Sequence, residues 1–147
     1  MFRQLLVPTD GSVLSDNAVQ RAVSFAKEAN ANIFFFYAEP DETKSIYNDA
    51  ALLRIMDPGK VASTIKRQIQ QILGKAQAVA KVHGVPCKLI STVSDEPYEA
   101  IIAAAEENGC DLILMASHGR RGVKGVLLGS QTQKVLTHSK TPVLVYR

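Results

Sequence analysis

The sequence predicts an α/β protein built on an open five-stranded parallel sheet, strand order 3-2-1-4-5, with helices on both faces. Short apolar runs alternate along the chain with longer segments of helical period. Strands joined through helices must run parallel with right-handed crossovers. Only two strand ends carry polar, glycine-rich loops, at Pro8-Thr9-Asp10-Gly11-Ser12 and from Ser117-His118-Gly119 to Gly129-Ser130. Ligands of such sheets bind beyond the strand carboxyl ends where the winding reverses, so strands one and four are expected side by side.

The elements follow in order. Leu5-Leu6-Val7 is a buried strand ending at Pro8, and Ala18, Val19, Ala22, Val23, Ala26 and Ala29 form one helical stripe between Ser15 and Asn30. Ile33 to Ala38 is an uninterrupted apolar strand; its run Phe34-Phe35-Phe36-Tyr37 has the look of a base-stacking platform but reads better as a strand covered on both faces. Residues 39–59 are expected to be a long loop holding Asp57-Pro58-Gly59. Ile65, Ile69, Ile72, Leu73, Ala76, Val79 and Ala80 mark the second helix, which stops near His83-Gly84. Cys87 to Val93 is the third strand. Pro97 starts a third helix after the cap candidates Ser94 and Asp95, and that helix runs to Asn108-Gly109. Leu112 to Ala116 is the fourth strand, Thr132 to Ser139 the last helix, and Pro142 to Tyr146 the fifth strand.

The 147 residues suit a single domain spanning 1–147. Hydrophobic residues at 46% and charged residues at 21% are ordinary for a globular chain and exclude disordered and collagen-like readings. A net charge of +3 is too small for a whole-surface polyanion trap and leaves room only for a local basic patch, so nucleic acid is not an expected partner; nor, with no window of 18 or so apolar residues, is a membrane. Cys87 and Cys110 have no metal-ligand spacing and read as packing residues of a reducing compartment. With neither a signal-peptide pattern nor a membrane-span window, the expected address is the cytoplasm.

The loop after strand four gathers Gly119, Gly122, Gly125 and Gly129, and Ser130 opens the helix that follows. Glycine lets main-chain N–H groups turn toward a ligand, and a helix N-terminus favours an anion. Arg120, Arg121 and Lys124 add positive charge, although two adjacent arginines cannot both point one way and solvation is the plainer reading. A surface loop used as punctuation would have the same composition. No Gly-x-Gly occurs, and neither Gly59-Lys60 nor Gly74-Lys75 is followed by a hydroxyl residue, which excludes the dinucleotide fingerprint and the P-loop.

Gly119, nine intervening residues and Gly129-Ser130 match the signature of the universal stress protein family, which the chain resembles. Leu6 to Ser12, Cys110 to Met115 and the closing Thr141-Pro142-Val143-Leu144-Val145 resemble it too. The resemblance implies a Rossmann-like fold related to adenine-nucleotide hydrolases, and a stress-response sensor or switch that binds ATP (or AMP or ADP), with Mg²⁺. It implies a site formed by Pro8, Thr9 and Asp10, by Ala38, by Met115, Ala116, Ser117, His118, Gly119 and Arg120, and by Gly129, Ser130, Gln131 and Thr132. Asp10 would contact the ribose or the nucleotide-bound metal, Ala38 would read the adenine edge through its backbone, and Gly119, Gly129, Ser130 and Thr132 would hold the phosphates. It also implies a homodimer through the last strand, Pro142 to Tyr146.

Plainer roles stand beside these. Asp10 would serve equally as a turn acceptor for the Gly11 or Ser12 amides, and Ser130 as a helix cap. His118 has no carboxylate placed by sequence to orient it, and no serine–histidine–acid set is visible, so any ATP hydrolysis would be slow. The signature's first glycine is Ala116 here. If that site needs a positive φ, alanine costs roughly 1–2 kcal/mol, on the order of tenfold in affinity, and Ala116→Gly should then tighten binding. A rival reading is a non-nucleotide member acting through dimerisation and protein partners. An adenylating enzyme is a weaker rival, because its Ser-Gly-Gly-x-Asp-Ser and His-x-Gly-His patterns are missing.

Overall fold

A computed structural model of the chain describes residues 1–41, 57–120, 122, 125 and 127–147. The elements are β1 (Gln4–Pro8), α1 (Val13–Ala29), β2 (Asn32–Glu39), α2 (Pro58–Val82), β3 (Cys87–Val93), α3 (Pro97–Glu107), β4 (Leu112–Ala116), α4 (Ser130–His138) and β5 (Val143–Tyr146). All strand pairs are parallel and the order is β3-β2-β1-β4-β5, as expected from the two special strand ends.

The sheet separates two cores. Leu5, Val7, Ile33, Phe35, Leu112, Leu114 and Ala116 face α1 and α2, whereas Leu6, Phe34, Phe36, Ile113 and Met115 face α3 and α4. Consecutive strand residues point to opposite faces, so Phe34, Phe35 and Phe36 are all buried and the aromatic run is core rather than platform. Among the described residues no helix is long and apolar enough to cross a membrane.

Helix ends depart from the sequence reading in instructive ways. α1 begins at Val13, capped by Ser12, whose hydroxyl accepts from Ser15 N–H at 3.2 Å. α2 begins at Pro58, well before Ile65, with Asp57 accepting from Gly59 N–H at 3.0 Å. Its first turns stand mostly clear of the core, so no apolar repeat announces them. The loop expected at 39–59 therefore gives up Glu39 to β2 and Pro58 onward to α2, while its centre, 42–56, lies outside the described residues. Neither Ser94 nor Asp95 caps α3. Glu96 holds that position without a side-chain bond, and Ser94 Oγ instead closes a local turn with Glu96 N–H at 3.2 Å. α4 begins at Ser130, the residue expected to open it, and so includes two residues ahead of the Thr132 bound of the apolar pattern. Asp111 fastens β1 to the start of β4, accepting from Arg3 N–H at 2.8 Å and Gln4 N–H at 3.0 Å.

Cys110 is buried in the second core, and burial together with neighbouring Asp111 pushes its thiol up to about 11 from 9.0. The native state thus keeps a proton that the unfolded chain releases, so the contribution of Cys110 to stability is complete below the unfolded value and declines as pH rises toward the folded one. At about pH 8, alkylation of Cys110 by iodoacetamide is expected to be about 100-fold slower in folded protein than in urea, from its lower thiolate fraction alone. Equal rates followed by peptide mass spectrometry would contradict this packing.

Candidate functional site

The site grows from the ends of β1 and β4, which are direct neighbours with Leu6 beside Ile113. Thr9, at the end of β1, is buried; its N–H donates to Phe36 O at 2.9 Å, and its Oγ1 accepts from Ser15 Oγ at 2.8 Å. Ser15 Oγ also accepts from Asp10 N–H at 3.2 Å. This buried serine occupies a core-stripe position of α1 one turn before Ala18 and Val19, and satisfies its hydroxyl against the β1 turn. Sequence reasoning missed Ser15, although a polar residue in register with an apolar stripe was the available signal.

Asp10 spans the two loops. Its Oδ1 accepts from Ser12 N–H at 2.9 Å, and its Oδ2 accepts from Arg120 N–H at 2.8 Å, across 110 positions of sequence. A side chain on Gly119 would overlap Oδ2, so the glycine makes the seat for this carboxylate. Gly11 has φ +75, and a Cβ there would lie 2.9 Å from Ile72 Cγ1 and 3.1 Å from Arg120 Nη2. The Arg120 side chain therefore lies over the opening turn beside α2. Arg121 and Lys124 lie outside the described residues.

The β4 end is stitched by main-chain bonds. Ser117 N–H donates to Tyr146 O at 2.7 Å, and Gly129 N–H returns to Ser117 O at 2.6 Å, which closes the loop at its base. His118 Nδ1 lies 3.1 Å from Ser117 Oγ, its ring fills the space that a side chain on Gly122 would need, and its Cα would be 3.2 Å from a Cβ on Gly129. Asp10, Gly119, His118, Gly129 and Ser130 are thus contiguous on one edge of the sheet. Gly129, not Ser130, is the N-cap of α4, with no side-chain cap bond. The amides of the first turn, Ser130, Gln131 and Thr132, have no intrahelical acceptor and are available to an anion.

Some expected ligands point elsewhere. Thr132 is buried, and its Oγ1 donates to Ala116 O at 3.1 Å. Gln131 Oε1 accepts from Tyr98 N–H at 2.9 Å and so serves the otherwise uncapped start of α3. Met115 packs into the α3/α4 core. Pro8 and Ala38 lie at the strand ends, half-buried. Ala116 pairs with Tyr146 in β4 and is buried in the α1/α2 core, and among the described residues the one positive φ outside glycine belongs to Asn30. The backbone-strain cost entertained for alanine at 116 therefore does not arise.

Taken together, a doubly wound parallel sheet with its polar loops at the β1/β4 reversal, and a glycine-rich loop opening into a helix N-terminus, define a Rossmann-like α/β protein. The profile of the Universal stress protein family matches residues 1–147, and the chain belongs to that family. It is 30% identical over 149 residues to the universal stress protein YxiE of Bacillus subtilis, covering 100% of both chains. It is 28% identical over 156 residues to the universal stress protein MJ0577 of Methanocaldococcus jannaschii, covering 100% of this chain and 96% of that one. A solved structure of MJ0577 superposes with TM-score 0.76 at 29% identity, covering 99% of this chain and 95% of that chain. A universal stress protein solved in complex with cAMP superposes with TM-score 0.74 at 27% identity, covering 99% and 97%.

The Asp10 seat generates a coupling test. Gly119→Ala is expected to destabilise the protein by about 1–3 kcal/mol through overpacking, and by less than half as much once Asp10→Ala has emptied the seat. Urea unfolding of the four proteins measures the coupling, and strictly additive effects would show that the two residues do not share this contact.

Proposed function

We propose that this chain binds an adenine nucleotide at the β1/β4 edge and acts as a sensor or switch in a stress response. One observation carries the reading: Asp10 bonded to Arg120 N–H draws the opening turn against the glycine loop, beside the first turn of α4, which has no side-chain cap. The crystallised relative in complex with cAMP supports adenine nucleotides as the ligand class. Phosphates would be held by the amides of Ser130, Gln131 and Thr132 with the Ser130 hydroxyl, the base would lie toward Ala38, and the ribose would lie against Pro8 and Asp10.

ATP with Mg²⁺ is the finer form of the proposal. Among the described residues no group of three His, Cys, Asp or Glu forms a protein cage for a metal. Mg²⁺ does not need one, since one carboxylate plus nucleotide phosphates and water fill its octahedron. Asp10 is a fitting carboxylate, and the ion would supply neutralisation of phosphate charge. The non-nucleotide rival would have Ala116 block the site, and the burial of its methyl in the α1/α2 core favours the nucleotide reading over it. Equilibrium dialysis of labelled ATP with Mg²⁺ is expected to show saturable binding, with Ala116→Gly changing the affinity by less than about threefold, under 0.7 kcal/mol. No binding by either protein at millimolar nucleotide would remove the reading.

We further propose that the protein is a homodimer through β5. That strand is an edge, and its Leu144 remains 47% exposed. Pairing with a second copy would cover the open ladder. Sedimentation equilibrium is expected to give a dimer for the native chain and a monomer for Leu144→Lys; a native monomer at micromolar concentration would refute the interface.

A further inference from the structure

Asp10 occupies the position of an anion. Both of its carboxylate oxygens accept main-chain N–H groups, from Ser12 at 2.9 Å and from Arg120 at 2.8 Å, and one of them fills the notch left by Gly119. These amides belong to the same turn and loop that would face a phosphate. The chain has thus supplied its own anion to donors that a ligand would otherwise use.

The surrounding charge is finely divided. Arg120, lying over Gly11, offsets Asp10, and the N-terminus of α4 adds about half a positive charge. The end of β2 brings Glu39 and, just beyond it, Asp41 to the same edge of the sheet. A ligand carrying one negative charge satisfies the helix terminus. Every further negative charge meets the fixed carboxylate of Asp10 at short range and must displace it from the Arg120 amide or endure the repulsion.

We infer that Asp10 is a specificity-determining residue that sets the charge of the nucleotide this site accepts: without a divalent cation, the site takes a mono-anionic adenine nucleotide such as a cyclic monophosphate ahead of ADP or ATP. The inference rests on the adenine-nucleotide reading above. It deepens that reading by assigning the ligand's charge class, and it makes a cation a condition for the triphosphate rather than an accessory.

The test is calorimetric titration in EDTA of the native protein, Asp10→Asn and Asp10→Ala with adenosine, cyclic AMP, AMP, ADP and ATP, with thermal melts to establish folding. In the native protein, affinity is expected to fall about tenfold or more from cyclic AMP to ATP. Asp10→Asn removes the charge and leaves one acceptor oxygen, so Ser12 N–H and Arg120 N–H can no longer both be accepted. It is expected to level the series, raising ATP about tenfold relative to adenosine. A flat or rising series in the native protein overturns the inference without any variant, so a poorly folding variant does not rescue it. A uniform loss across the series in both variants, adenosine included and the ratios unchanged, would also overturn it and leave Asp10 a ribose contact without charge selectivity. Failure of every compound, adenosine included, to bind the native protein would remove the nucleotide reading itself, whereas binding in the wrong order removes the charge selectivity alone.

Discussion

A single carboxylate ties the loops at the β1/β4 edge of this protein together. Asp10 receives one N–H from its own turn and one from a loop that follows β4, so two segments far apart in sequence share one acceptor group. Hydrogen bonds to an ionised group contribute about 1.5–3 kcal/mol each, twice a neutral pair, and their directionality fixes where the donors point. Gly119 follows from this contact, because any side chain there would collide with Oδ2. So does the position of Arg120, whose backbone is held by Asp10 while its guanidinium covers Gly11. A glycine that would read as making room for a ligand thus first makes room for the protein's own side chain.

The sheet explains why these loops meet. β1 lies at the centre, with β2 on one side and β4 on the other, so the chain leaves β1 in one direction and returns to its other flank in the second half. The helices divide accordingly, α1 and α2 over one core and α3 and α4 over the other, and their connections part at the carboxyl ends of β1 and β4. The crevice is a consequence of winding rather than of any particular side chain. Bonds from Ser117 to Tyr146 and from Gly129 to Ser117 then close the base of the long loop and aim α4 at the crevice.

Several polar side chains that look like ligands in sequence are spent on structure. Thr9 is bonded to Ser15, Thr132 to the carbonyl of Ala116, and Gln131 to the first turn of α3. What remains to meet an anion is chiefly main chain: the first amides of α4 and the Ser130 hydroxyl, beside the Arg120 side chain. Ala116 can stand where the family signature has glycine for reasons of the strand alone. Its φ is not positive and its methyl lies in the core, so the strand continues undisturbed.

The sequence by itself determined the architecture. Apolar runs and helical stripes respond to burial, which is periodic along the chain, so strand number, direction and order were all legible, as were the two loops at the winding reversal. The start of α2 at Pro58 was not, because an exposed first turn carries no apolar period. The glycine spacing and the opening Pro8-Thr9-Asp10 turn brought the candidate site into view. Only the tertiary structure decided how each polar group is used: that Asp10 bridges two loops, that Ser15 supports it from inside α1, and that Gln131 and Thr132 turn away. A hydrogen bond takes whatever partner the folded chain brings within about 3 Å, and that proximity is a property of three-dimensional packing with no periodic trace in the order of residues.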